Sequence, residues 1–177
     1  MKKQRVLALV DENLVPPDDP TGHDVVNAPW KMEYDVVHTL REQGHEVLAV
    51  GVGSELGVIR RAMEEMKPDI AFNLLESFAE VATWDLNVVA YLELMRVPYT
   101  GCNTRGLLLA RDKALAKKIL TFHRIPVPDF MVVPRGRAIR RPRRLGFPLI
   151  VKSLTLDASI GISQASVVED DAKLVER

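Results

Sequence analysis

Short apolar runs alternate with longer stretches of helical period over roughly the first hundred residues, and this alternation constrains the fold more than any other feature. Residues 6–10, Val-Leu-Ala-Leu-Val, are the first run, and five apolar side chains in succession suit a strand buried on both faces. Residues 45–52 and 70–74 repeat the signal, and Pro98-Tyr-Thr-Gly101 reads as a fourth short strand and turn. Between the first two runs, Met32, Val36, Val37 and Leu40 recur on one helical face, and Gly44 is placed to stop that helix. A second helix is expected over 58–67. A third over 83–95 puts Trp84, Val88, Leu92 and Met95 on one stripe, with Thr83 or Asp85 near its cap. Strand and helix at this spacing predict an α/β fold of right-handed βαβ units on a parallel sheet. Ligands of such sheets bind at the carboxyl ends of the strands. The long, proline-rich loop 11–29 and the loop 73–82 are therefore both of functional interest.

The second half reads differently. Helical composition from Thr104 is interrupted at Arg111-Asp112, resumes to about Arg124, and is broken by Ile125-Pro-Val-Pro-Asp129. A domain boundary is expected near Asp112. Residues 130–134 have strand composition and lead into the arginine-rich run 135–144. Residues 147–151 form another short apolar strand, closed by Lys152, and Ile160, Ile162 and Val167-Val168 resume the pattern. The implied unit is strand, loop, strand with a cation at the loop's mouth. Lysine suits a phosphate there, Ser159 adds a hydroxyl donor, and Gly161 admits close backbone approach. The plain alternative is a lysine that reaches out to water at a strand end.

Composition narrows the class further. Twenty-four basic residues balance twenty-four acidic ones, so no net field recruits a nucleic acid or a membrane surface. The single cysteine, Cys102, excludes an internal disulfide and suits a reducing compartment; it reads as a buried or turn thiol, not a nucleophile. No apolar stretch is long enough to span a bilayer, and a cytoplasmic location is expected. His23 lies among Asp18, Asp19 and Asp24, which reads as a solvated loop before it reads as a metal site. The arginine run has no interleaved aromatics for base stacking and reads as a solvated connector.

Three stretches in order then resemble the D-alanine–D-alanine ligase family of the ATP-grasp superfamily. They are Leu92-Glu-Leu-Met-Arg-Val-Pro-Tyr-Thr-Gly101, Leu109-Ala-Arg-Asp-Lys-Ala-Leu-Ala-Lys-Lys118, and Phe147-Pro-Leu-Ile-Val-Lys152 through Asp157-Ala-Ser-Ile-Gly-Ile162. The resemblance implies a Rossmann-like pre-ATP-grasp domain over 1–111, followed by the first, α+β lobe of an ATP-grasp domain over 112–177. It implies an ATP-dependent carboxylate–amine ligase working through an acyl phosphate. Lys113 and Lys152 would contact ATP on its phosphate side. Asp157, Ala158, Ser159, Ile160 and Gly161 would cover the triphosphate, with Ser159 the catalytic candidate. It also implies Mg2+ beside ATP, a small amino-acid or peptide-like substrate, and a homodimer through the N-terminal domain; neither nucleic acid nor membrane is expected as a partner.

The departures from the family pattern are specific. Where it has a Gly-Gly turn and a following glutamate, this chain reads Val10-Asp-Glu-Asn-Leu14, with Glu12 the substrate candidate. Its His-Gly and Glu-Asp-Gly region appears as Asn73-Leu-Leu-Glu76 and Trp84-Asp-Leu86; Glu76 is a second substrate candidate, equally readable as a solvated loop acid. Ala158 replaces the first of two serines. The metal ligands of the family lie beyond the point that matches Arg177, so no metal residue is expected in this chain. The reading is of the N-terminal portion of a ligase, inactive by itself. The alternative is a non-catalytic binding or assembly module on the same fold.

Overall fold

The computed structural model describes residues 2–156 and 161–177. Backbone contacts divide the chain into two compact units, Met1–Thr104 and Arg105–Arg177.

In the first unit, β1 (Arg5–Asp11), β2 (Glu46–Val52) and β3 (Ile70–Asn73) form a parallel sheet in the order β2-β1-β3. The central strand is the first apolar run of the sequence, and its residues 6–10 are no more than 2% exposed. A strand flanked by neighbours and covered on both faces has no solvent side, which is why its polarity does not alternate. Tyr99 extends the sheet as a single parallel bridge to Ala71, with the Ala71 amide donating to Pro98 O (2.8 Å) and the Thr100 amide to Ala71 O (3.0 Å). The expected fourth strand is thus one bridge long.

Helices α1 (Lys31–Glu42), α2 (Gly57–Met66) and α3 (Asp85–Leu94) connect and cover the strands. Leu7 and Leu9 of β1 pack with Val52, Ile59, Ala62, Met63, Ala71, Leu75, Val88 and Leu92 in one core. Two expectations for α3 need correction. Val88 and Leu92 are buried, but Trp84 and Met95 are 48% and 36% exposed because they flank the helix instead of lying in it. The N-cap is Trp84, with no side-chain bond, whereas Asp85 is in the first turn, buried, its Oδ1 accepting the Leu86 amide at 2.7 Å.

The second unit contains α4 (Thr104–Arg111), which starts on the last residue of the first unit, then α5 (Lys113–Phe122), β4 (Leu149–Ile150), β5 (Val167–Val168) and α6 (Asp171–Glu176). The break at Arg111-Asp112 is where a new helix is capped: Asp112 Oδ1 accepts from the amides of Ala114 (2.9 Å) and Leu115 (2.8 Å). Strands β4 and β5 pair antiparallel, Leu149 opposite Val168 and Ile150 opposite Val167. Residues 130–134 are not a strand. They lack a ladder partner among the described residues, and strand composition alone does not create one.

Candidate functional site

The candidate phosphate-side residues all belong to the second unit. Lys113 opens α5, and its backbone amide donates to Leu154 O at 3.2 Å while its Nζ donates to Leu156 O at 2.7 Å. Lys152 lies one residue beyond the end of β4, after Val151, is exposed, and forms no hydrogen bond or ion pair with the described residues. Lys113 is therefore brought, across 38 intervening sequence positions, onto the segment that carries Lys152. The first two free amides of α5 are already taken by Asp112, so positive charge in this region comes chiefly from side chains.

Gly161 has φ +73°, a left-handed conformation that a side chain would strain. Its carbonyl accepts from Arg177 Nη2. Arg177 also donates to Ser166 Oγ from Nη2 (2.9 Å) and Nε (3.2 Å), and the Ser163 amide donates to the same oxygen at 3.1 Å. Ser166 is fully buried, so this network fixes the turn that enters β5. Nothing in the sequence pattern distinguished Arg177 or Ser166 from ordinary surface residues. Asp157, Ala158, Ser159 and Ile160 lie outside the described residues. An open groove of about 790 Å³ elsewhere in this unit, lined by Lys118, Arg124, Ile125, Val127, Phe130 and Met131 among others, includes none of the candidates.

The substrate candidates belong to the first unit. Glu12 begins a short 3-10 helix whose N-cap, Asp11, accepts the Asn13 amide at 2.8 Å. Its carboxylate lies against Gly53, just past β2: a Cβ built there would be 2.2 Å from Glu12 Oε1. Gly51 is as tight, with a Cβ 3.0 Å from Glu12 Cα and 2.7 Å from Val15 Cγ2. The loop after β3 reaches the same place, since the Ala79 amide donates to Gly53 O at 3.1 Å. That loop turns tightly at Phe78–Val81, with Ala79 and Glu80 both at positive φ (50° and 61°). Two consecutive non-glycine residues in that region are strained, and such strain gathers at functional edges. The residues that follow β1 and β2 and the loop after β3 thus meet beside Glu12. Glu76 is exposed on the loop after β3.

One buried acid had no signal in the sequence. Glu33, in the first turn of α1, is 2% exposed, and its Oε2 has no hydrogen-bond partner among the described residues. The helical pattern put Met32 on the apolar face, yet Glu33 and Val37 are the buried pair and Met32 is 50% exposed. Cys102 is exposed and follows the left-handed Gly101, which leaves the turn thiol of the two expected alternatives. Among the described residues, no group of three or more His, Cys, Asp or Glu side chains is arranged to hold a metal ion, and no helix is long and apolar enough to cross a membrane.

The fold has solved counterparts. A D-alanine–D-alanine ligase of Bacillus anthracis has the same fold, with a TM-score of 0.71 at 21% identity over 97% of this chain and 51% of that one. The same ligase complexed with ATP matches with a TM-score of 0.68 at 20% identity, covering 98% and 53%. No family model matches the chain. By sequence it is 34% identical over 139 residues to the D-alanine–D-alanine ligase of Pelotomaculum thermopropionicum, a match covering 73% of this chain and 42% of the relative. The chain thus spans less than half the length of that relative. It belongs to the D-alanine–D-alanine ligase family of ATP-grasp proteins and corresponds to its N-terminal part.

Proposed function

We propose that this chain is the N-terminal part of an ATP-dependent carboxylate–amine ligase, with residues 1–111 as the pre-ATP-grasp domain and 112–177 as the start of the ATP-grasp domain. The observation that carries the reading is the attachment of Lys113 to the segment following Lys152, through Leu154 O and Leu156 O. Two cations from distant parts of the chain border one connection between antiparallel strands, which suits a polyanionic ligand. A lysine ammonium about 4 Å from a phosphate oxygen gains roughly 4 kcal/mol at an effective dielectric near 20.

ATP, when bound, supplies the phosphoryl group that converts a carboxylate into an acyl phosphate, releasing ADP; attack by an amine then forms the C–N bond and releases phosphate. Lys113 and Lys152 hold and orient the phosphates, which is most of what phosphoryl transfer asks of a protein. Gly161 gives the backbone room to approach them. Glu12 and Glu76, at the carboxyl edge of the parallel sheet, are positioned on loops that suit an ammonium or amide group of a small amino-acid or peptide-like substrate.

The reading is tested in a polypeptide carrying the full length of the matched relatives. Phosphate release from ATP should require both a carboxylate and an amine substrate. Lys152→Ala should lower kcat/KM for ATP about 10- to 100-fold, the loss of a charge-assisted hydrogen bond. ATP turnover that ignores the amine, or a Lys152→Ala protein with unaltered kinetics, would rule the reading out.

A further inference from the structure

Arg177 is tied to both ends of the connection that carries Lys152. Its Nη2 donates to Gly161 O, and its Nη2 and Nε donate to Ser166 Oγ at 2.9 and 3.2 Å. Ser166 is fully buried, and its backbone carbonyl accepts the amide of Val151 at 2.8 Å. Val151 is the residue before Lys152. One guanidinium thus holds the far end of the connection at Gly161 and, through a single intermediary, its near end at Val151. All of these residues belong to the second unit.

Both ends gain from such a holder. Strands β4 and β5 are two residues each, and so short a pair pins its own register weakly. Gly161, at φ +73°, adopts positive or negative φ about equally readily, and a donor on its carbonyl selects one state. In a planar trans peptide the amide of Ile162 then faces away from Arg177. A guanidinium spreads its donors in one rigid plane and meets two acceptors at once, whereas a lysine ammonium is a point charge on a flexible stem. The other arginine on α6 serves a different end. Arg141 forks onto Asp171, the first residue of that helix, at 2.7 and 3.0 Å. Its remaining partners, Leu145 O and the Phe147 ring, lie outside the connection.

We propose that Arg177 is a positioning residue for the nucleotide. By holding Gly161 directly and Val151 through Ser166, it sets the separation between Lys152 and the backbone at Gly161 that the phosphates require. This rests on the ligase reading, in which Lys152 and Gly161 meet the phosphate side of ATP. Arg177 acts through the backbone and does not itself touch the nucleotide.

Steady-state kinetics at varied ATP and varied amine, in a polypeptide spanning the full length of the matched relatives, test it. Arg177→Ala should raise KM for ATP about tenfold, the effect of a slightly misplaced positioning group, and leave KM for the amine unchanged. Arg177→Lys keeps the charge but not the fork, and should resemble Arg177→Ala. Arg141→Ala, which frees the other end of α6, should lower the thermal midpoint and leave KM for ATP unchanged. A KM for ATP unmoved by Arg177→Ala would overturn the role. Full recovery in Arg177→Lys would overturn it too, by making the arginine a simple charge. So would an equal rise in Arg141→Ala, which would make the packing of α6 the cause. Lys152→Ala separates the two readings. If it impairs ATP use while Arg177→Ala does not, the role of Arg177 alone falls; if neither has an effect, the ligase reading falls with it.

Discussion

Glu93 shows how much of the local order rests on a single carboxylate. It accepts from the hydroxyls of Tyr99 and Thr104, both at 2.7 Å, joining the end of α3 to the strand-like segment at Tyr99 and to the start of α4. The hydroxyl of Thr104, then that of Tyr99, holds the Glu93 carboxyl below its ordinary value, while burial and Glu93 push the Tyr99 phenol up to about 12. A depressed carboxyl stabilises the fold above its unfolded value, and that contribution is lost as pH falls through the folded one. The raised phenol acts oppositely: its contribution is complete below about 10 and is lost as pH rises toward about 12. Thermal midpoints followed from pH 7 to pH 3 should fall less steeply in Glu93→Gln than in the native chain; matching slopes would remove Glu93 from this account. The glycines under Glu12 make a second residue-level test. At Gly53 a methyl group meets only the mobile end of the Glu12 side chain, whereas at Gly51 it meets the Glu12 backbone. Gly51→Ala should therefore cost about 1–3 kcal/mol in denaturant unfolding and Gly53→Ala clearly less. Equal costs would mean that Glu12 is not seated as described.

Helix ends explain which elements were legible in the sequence and which were not. After α1, the Gly44 amide bonds to Arg41 O (2.9 Å) and the His45 amide to Leu40 O (3.1 Å), a paired closure around a left-handed glycine. A glycine in that place announces itself. The same closure ends α3, with Val97 bonded to Leu92 O, and α5, with Ile125 bonded to Leu120 O, but the left-handed residues are Arg96 and Arg124. The end of α5 was marked by Ile125-Pro126, and neither closure carried a signal of its own. L-residues held left-handed are strained by about 1 kcal/mol or more, so Arg96→Gly and Arg124→Gly should each raise stability by roughly that amount. A loss on either substitution would show that the arginine side chain matters more than its backbone. The opposite failure occurred at residues 130–134. Phe-Met-Val-Val-Pro has strand composition, but a strand is made by its ladder, and periodicity carries no information about a partner. The candidate site follows the same division. Lys152 could be named from local pattern, and Lys113 and Glu12 from the family resemblance, whereas the buried Glu33 and the Arg177–Ser166 network depend on tertiary packing.

At the scale of the molecule, the two units differ in how much core they hold. Among the described residues, fifteen buried hydrophobic side chains belong to the first unit and only four, Ala114, Leu145, Val168 and Leu174, to the second. The second unit's sheet is a pair of two-residue strands, which is marginal without further packing. Amide hydrogen exchange should find β1, α2 and α3 protected longest and the amides of β4 and β5 exchanging much sooner; uniform protection would contradict this division. The unit with less core is also the one that carries Lys113 and Lys152, so a ligand held there would add stability where it is scarcest. Calorimetric titration of ATP with magnesium into a polypeptide spanning the full length of the matched relatives, with and without Lys113→Ala and Lys152→Ala, tests that claim most directly. Each substitution should weaken binding about 10- to 100-fold, and the pair more than either alone. An affinity that is unchanged when both lysines are removed would contradict the account.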